Sequence, residues 1–221
     1  MKKLKIPSNL TMLAYHSIKG HILEGRLDEE SRLTEEFLST QLGISKSPVR
    51  EALNRLETEG LIRIEPRKGA YLRRLSAQEV TDLYGLREAL ETYAVRTAKL
   101  TPALVAELHQ SIKRQHQFLK ANDKPRYIEE DVHFHSELAR ATDNQHLCAM
   151  LQNIQNQIWL ARRKTYDLSS STAPDYHEAI VAALERKDRE QAETNMRDHI
   201  ETVRRRLVEF LESRPTAELV G

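Results

Sequence analysis

The sequence predicts a mainly α-helical chain in two parts, a front module of three helices with a β-hairpin and then an all-helical bundle of six or seven helices. Three observations carry this reading. Apolar residues recur at three- and four-residue spacing almost from end to end. The period falls to two in one place, around Leu61-Ile62-Arg63-Ile64. The 221 residues include only 7 Gly and 7 Pro, an economy that long helices tolerate better than a turn-rich sheet.

The first helix is predicted from roughly Thr11 to Glu24, with Leu13, Tyr15, Ile18, Ile22 and Leu23 as its apolar stripe and Gly25 as its stop. A second helix starts near Thr34, whose hydroxyl can cap it, and Phe37, Leu38 and Leu42 mark its buried side. Gly43 interrupts the pattern. Ser45 or Ser47 can cap a third helix, with Pro48 in its first turn. In that helix Val49, Ala52, Leu53 and Leu56 face inward, Arg50, Asn54 and Arg55 face the other way, and Gly60 ends it. Leu61 to Ile64 then form a strand, Glu65 to Gly69 a turn, and Ala70-Tyr71-Leu72 the returning strand. Three short helices and a hairpin make a winged helix-turn-helix, assigned to residues 1–75.

The second module, residues 76–221, opens on a capping box made by Ser76 and Glu79. Helices follow at about 77–99, 102–121, 125–141, 145–164, 174–186 and 188–213. Thr101-Pro102, Asn122 to Pro125, Asp143-Asn144, Ser169 to Thr172 and Lys187-Asp188 break them. Most carry one apolar stripe, for example Leu83, Leu86, Leu90 and Ala94, so they must pack on one another. Trp159 reads as core or interface, and the C-terminal RPTAELVG is expected to fray.

Composition narrows the classes. With 39% hydrophobic and 30% charged residues, the chain has a globular rather than a disordered balance. No apolar run is long enough to span a bilayer, and the opening MKKLKIPSNLTMLAYHSIKGH lacks a secretory signal's apolar stretch, so the expected compartment is the cytoplasm, with no membrane partner. Cys148 is the only cysteine, which excludes an internal disulfide and a cysteine-built metal site. Charge is uneven. Residues 1–75 hold 14 Lys/Arg against 10 Asp/Glu, a balance of +4, and the remainder hold 20 against 23, a balance of −3. This fits nucleic-acid contact at the front only.

In a helix-turn-helix the second helix enters the major groove by its N-terminal end. Ser45, Lys46, Ser47 and Arg50 sit at that end; Lys46 offers a flexible point charge and Arg50 a fork able to bind a guanine edge. Arg67, Lys68 and Gly69 form a basic hairpin tip that would reach a backbone or minor groove. A solvated helix face with ordinary charges is the alternative, and the basic tip weighs against it. In the rear module Asp131 and His135 are four apart, hence on one helix face, while His133 points elsewhere. With His177 and His199 from two further helices they would suit zinc or nickel. On spacing alone, satisfied or exposed histidines are the stronger reading, and His109, His116 and His146 are read as structural or solvent-facing.

GISKSPVREALNRLETEGLI followed by RIEPRKGAYL resembles the DNA-binding domain of GntR-superfamily bacterial transcription regulators. The resemblance implies that Ser45, Lys46 and Arg50 take the recognition-helix roles, Gly69 the wing role, and that Thr34 reaches a phosphate. Many relatives carry arginine at the Lys46 position. YGLREALETYAVRTA, DVHFHSELARATDNQHL and DYHEAIVAALERKDREQAETNMRDHI together resemble the FCD ligand-sensing domain of the FadR-like branch. That resemblance implies a divalent metal, Zn2+ first with Ni2+ or Mn2+ as alternatives, held by Asp131, His135, His177 and His199. It also implies a small carboxylate effector near the metal. Arg87 matches a cavity position, with a salt bridge to Glu88 or Glu91 as the competing reading; Asn156 and Arg162 are candidate wall residues from helix placement. The expected function is a homodimeric regulator, a repressor, whose two recognition helices lie about 34–36 Å apart on a palindromic operator. An enzyme would need a second carboxylate beside the ligand set, and none is evident in the sequence. A purely structural metal without effector is the remaining alternative.

Overall fold

The computed structural model describes residues 10–27, 32–169 and 171–213. The C-terminal RPTAELVG and the opening residues 1–9 lie outside the described residues. The chain forms two compact units, Met1–Arg74 and Leu75–Gly221.

In the first unit α1 (Leu10–Leu23), α2 (Glu35–Leu42) and α3 (Lys46–Thr58) precede β1 (Ile62–Glu65) and β2 (Gly69–Leu72). The strands pair antiparallel, Ile62 opposite Leu72 and Glu65 opposite Gly69, and Leu33 adds a bridge to Ala70 that no periodicity announces. The core is Tyr15, Ile18 and Ile22 of α1, Leu33, Leu38, the Val49, Ala52, Leu53 and Leu56 face of α3, and Ile62, Ala70 and Leu72 of the hairpin. Each such aliphatic side chain contributes about 1.5–3 kcal/mol by leaving water. Gly43 ends α2 in the left-handed region (φ 64) and donates its N–H to Ser39 and Thr40 carbonyls, the tight turn that sets α3 against α2. Two expected core residues face outward instead: Leu13 and Phe37 are 56% and 47% exposed, because Ala14 and Leu38 fill the inward positions beside them.

Across the end of α3, Tyr15 donates its hydroxyl to Glu59 (2.7 Å) and Lys19 Nζ donates to the same carboxylate (2.8 Å). The Arg55 guanidinium lies over the Tyr15 ring, 4.0 Å from its centre. This network ties α1 to α3.

The second unit contains α4 (Ala77–Thr97), α5 (Pro102–Lys120), α6 (Lys124–Arg140), α7 (Gln145–Lys164), the short α8 (Tyr166–Ser169), α9 (Ala173–Glu185) and α10 (Arg189–Glu212). Side chains cap most of these helices: Ser76 with Glu79 in a full capping box, then Thr101, Asp123, Asn144 and Asp188. Arg189 at the start of α10 donates to the Val95 and Ala98 carbonyls (2.5 and 2.7 Å), closing the C-terminus of α4. The core runs through Val80, Tyr84 and Val95 of α4, Leu108 and Ile112 of α5, Phe134 and Leu138 of α6, Ile158 of α7, Ile180 and Val181 of α9, and Met196, Ile200 and Val203 of α10. Trp159 is buried.

The buried face of α4 departs from the sequence pattern. Val80, Tyr84, Arg87, Glu91, Ala94 and Val95 point inward, whereas Leu86 is 53% exposed and Leu83 and Leu90 are half-buried. The apolar stripe therefore borders the core, and an Arg–Glu pair takes the inner position, joined there through Arg87 Nε and Glu91 Oε1. No helix among the described residues is long and apolar enough to cross a membrane.

Candidate functional site

In the first unit, α3 presents its N-terminal end with Ser45 at the N-cap position, where its side chain makes no capping bond. Lys46, Ser47 and Arg50 follow, all exposed. Thr34 caps α2, its hydroxyl accepting from the Phe37 N–H (3.1 Å). Both cations of this surface face carboxylates at the start of α2. Arg50 donates through Nε and Nη2 to the two oxygens of Glu35 (2.6 and 2.7 Å), a bidentate pair, and Lys46 lies 3.6 Å from Glu36. The Glu35 carboxyl is held below its ordinary range by the Arg50 bonds, against a small opposing effect of burial.

At the wing, Pro66, Arg67 and Lys68 are exposed, and Arg67 itself adopts a positive φ of 64. Gly69 has φ 117, and a Cβ there would sit 3.1 Å from Arg32 Cγ and 3.3 Å from the Leu33 carbonyl oxygen, so the backbone needs glycine. Arg32 also donates to the Arg67 carbonyl (3.3 Å). Glu35 and Arg32 were not singled out in the sequence; both are ordinary charges there, and only the turn brings them onto this surface.

In the second unit Asp131, His135, His177 and His199 converge from α6, α9 and α10, with one ligand atom from each lying within 4.8 Å of the others. All four are buried, at 0–1% exposure. Oxygen and nitrogen ligands at about 2.0–2.2 Å from one tetrahedral ion lie about 3.3–3.6 Å apart, so the set would draw together by roughly 1 Å to hold one. His177 stacks on Phe134 (ring centres 4.0 Å apart), which sets its plane.

The outer partners decide which atoms are left for a ligand. His177 Nδ1 bonds Gln115 Oε1 (2.8 Å), so Nδ1 carries the proton and Nε2 keeps its lone pair. His135 Nδ1 lies against the Glu91 carboxylate as an ion pair. Asp131 Oδ2 accepts from Arg162 Nη2 (2.5 Å). Asp131 Oδ1, both ring nitrogens of His135 and of His199, and His177 Nε2 are buried without a hydrogen-bond partner. Buried polar atoms are ordinarily paired, and a single divalent ion would satisfy one from each residue. The donor set therefore fits a metal.

Electrostatics agree. Burial drives His177 down to about 3, only partly opposed by Asp131, and burial together with the neighbouring imidazoles takes His199 well below its ordinary value. Both rings are neutral at pH 7, the form a metal binds. Burial would raise the Asp131 carboxyl, but Arg162, His135, His177 and Arg87 outweigh it and hold it well below the carboxylate range. Burial likewise opposes ionisation of Glu91, yet Arg87 and His135 bring it to about 2.

Arg87 is fully buried, and Nε donates to Glu91 Oε1 (2.6 Å). The salt-bridge reading of Arg87 thus holds as far as Nε, while Nη1 and Nη2 have no partner. Arg162 is joined to the cluster through Asp131, and its Nη1 is also without a partner. Asn156 is buried on α7, where its Oδ1 accepts from Gln152 (3.2 Å). The sequence showed no carboxylate beside the ligand set, and the structure corrects this. Glu91 lies there, although Arg87 and His135 engage both its oxygens. His133 pairs with Glu107 (2.9 Å), and His109 and His116 with Glu185 and Glu178, outside the cluster.

The chain matches two families, "Bacterial regulatory proteins, gntR family" over residues 11–72 and "FCD domain" over residues 82–202. It is 28% identical over 206 residues to the uncharacterized HTH-type transcriptional regulator YdhC of Bacillus subtilis (strain 168), covering 89% of this chain and 90% of that protein. It is 26% identical over 195 residues to the HTH-type transcriptional repressor RspR of Escherichia coli (strain K12), covering 86% and 85%. The solved structure of E. coli McbR/YncC shares the fold with a TM-score of 0.78 at 24% identity, covering 91% of this chain and 98% of that one.

Proposed function

The chain belongs to the gntR family of bacterial regulatory proteins and carries an FCD domain, and from that premise we propose that this transcription regulator is a homodimeric repressor whose operator affinity answers to a small organic acid bound beside a divalent metal. Both matched families describe DNA-binding regulators rather than enzymes, and repressors occur among the relatives. In this reading Ser45, Lys46, Ser47 and Arg50 meet the major groove of a palindromic operator, Thr34 a phosphate, and Arg67, Lys68 and Gly69 the flanking backbone. Residues 1–75 supply DNA binding, and residues 76–221 supply metal, effector and dimer contacts.

One observation carries the sensing half of the proposal: four convergent, fully buried donors keep ligand atoms without partners while their other atoms are held by Gln115, Glu91 and Arg162. Asp131, His135, His177 and His199 would hold the metal, zinc first, with nickel or manganese as alternatives. When bound, the metal would supply a Lewis-acid seat for a carboxylate oxygen. Arg87 and Arg162 supply guanidinium N–H groups beside it, and Asn156 is the remaining wall candidate. Dimerisation has its own support, because Leu86, Tyr93 and Met150 are the exposed large apolar side chains of the second unit among its described residues.

A thermal-shift experiment on the full chain tests this. Stripping the protein with a chelator should lower its melting temperature and zinc should restore it. An organic acid should then raise it further only in the zinc-loaded protein. Zinc stabilisation with no response to any acid would favour a purely structural metal, and no response to any divalent metal would overturn the site.

A further inference from the structure

We propose that the effector is a dianion, held between the Asp131–His135–His177–His199 cluster and the guanidinium groups of Arg87 and Arg162. The proposal rests on the organic-acid reading above and narrows it.

The first ground is charge. Apart from the imidazoles, the buried ionic side chains of this unit are Arg87, Arg162, Asp131 and Glu91 among the described residues. By themselves they balance, two positive against two negative. A divalent ion held by the cluster would add two positive charges to that balance in a buried setting. An unbalanced buried charge is costly. A monoanion leaves half of that excess in place, and a dianion removes it.

The second ground is donor geometry. Arg87 engages Glu91 through Nε alone, and Arg162 engages Asp131 through Nη2 alone. Nη1 and Nη2 of Arg87 and Nη1 of Arg162 are buried without an acceptor. These are the edges of a guanidinium that grip carboxylate or phosphate oxygens in pairs. Both arginines are anchored to the cluster itself, Arg87 by way of Glu91 and His135, and Arg162 by way of Asp131. Gln155 lies seven residues before Arg162 on α7, on the same helix face, and its Nε2 is a further buried donor without a partner. An anionic group at the metal would thus leave a second set of donors unanswered unless the ligand carried charge for them too.

The test is calorimetric titration of the zinc-loaded full chain at neutral pH with length-matched acids, butyrate against succinate and valerate against glutarate, with inorganic phosphate as a third arm. At least one dianion should bind about tenfold or more tighter than its matched monoanion, an advantage of about 1.4 kcal/mol. Arg87→Gln should erase that advantage, and Arg87→Lys should retain part of it. Zinc content by elemental analysis should remain at the wild-type level in the Lys variant, which separates loss of the anion from loss of the metal. An advantage confined to phosphate would support a dianion whose charge resides on one group. Equal binding of matched mono- and dianions with no tighter binding of phosphate, or a dianion advantage unchanged in Arg87→Gln and Arg162→Gln, would overturn the proposal and leave the organic-acid reading intact. Failure of every acid to bind the zinc-loaded protein would overturn both.

Discussion

Arg50 shows how one side chain can be both exposed and pre-set. Its Nε edge is fixed by Glu35, so the fork is oriented before any base arrives. Arg50→Ala is expected to weaken operator binding by about 1–3 kcal/mol, and the loss should be largest on the specific duplex. Glu35→Gln should raise affinity for a scrambled duplex and narrow the gap between specific and random DNA, because it removes a negative charge and the orienting contact together. Fluorescence anisotropy at several salt concentrations separates these outcomes. At the metal cluster the equivalent orienting residue is Gln115, whose carbonyl oxygen holds the His177 tautomer. Gln115→Ala should cost about 10–100-fold in zinc affinity, read by competition with a chromogenic chelator. The four metal candidates are legible only through a family resemblance, since spacing alone favours satisfied or exposed histidines. Gln115 could not have been named, because a glutamine on an amphipathic helix carries no chemical signature until another helix brings an imidazole to it.

At the scale of the element, α1 is joined to the end of α3 by Tyr15, Lys19 and Glu59. Burial tends to raise the Glu59 carboxyl, but the bonds from Lys19, Tyr15 and Arg55 win and hold it below its ordinary value. A depressed carboxylate adds stability that is complete above the unfolded-state pKa and is lost as pH falls towards the folded one. Glu59→Gln should therefore be less stable by about 1–2 kcal/mol at pH 7, and the difference should fade below pH 4. Urea unfolding followed by circular dichroism at the two pH values measures it. Helix α4 carries the second prediction. Leu86→Arg should leave the helical content unchanged and shift the protein from dimer to monomer in sedimentation velocity. The same helix shows where sequence reading failed. The spacing of Leu83, Leu86 and Leu90 is a sound helical stripe, yet the inner face is Tyr84, Arg87 and Glu91. Hydropathy cannot choose between two faces when the polar one neutralises itself inside. The three helices and hairpin of the first unit were legible because each boundary is marked, by Thr34, Gly43, Gly60 and the switch to a period of two, while Leu13 and Phe37 erred where an adjacent residue already filled the core.

For the molecule as a whole, the two sets of candidate functional residues differ in their exposure to water. Charged side chains at the α3 terminus and the wing remain on the outside, and the charged side chains of the second unit's cluster are withdrawn from water. The four candidate metal ligands of the second unit are 0–1% exposed, so a molecule reaching them would have to open a way between helices; that passage, rather than the cluster itself, would set how fast the regulator responds. Trp159 offers the means to watch it. It is the sole tryptophan in the chain, it is buried, and it stands on α7 within one helical turn of Arg162. The protein thus contains its own optical probe, and stopped-flow mixing of zinc-loaded protein with a binding acid should give an emission change whose rate levels off as acid concentration rises. The plateau would report the opening of the bundle without a dye, a tag or a second mutation.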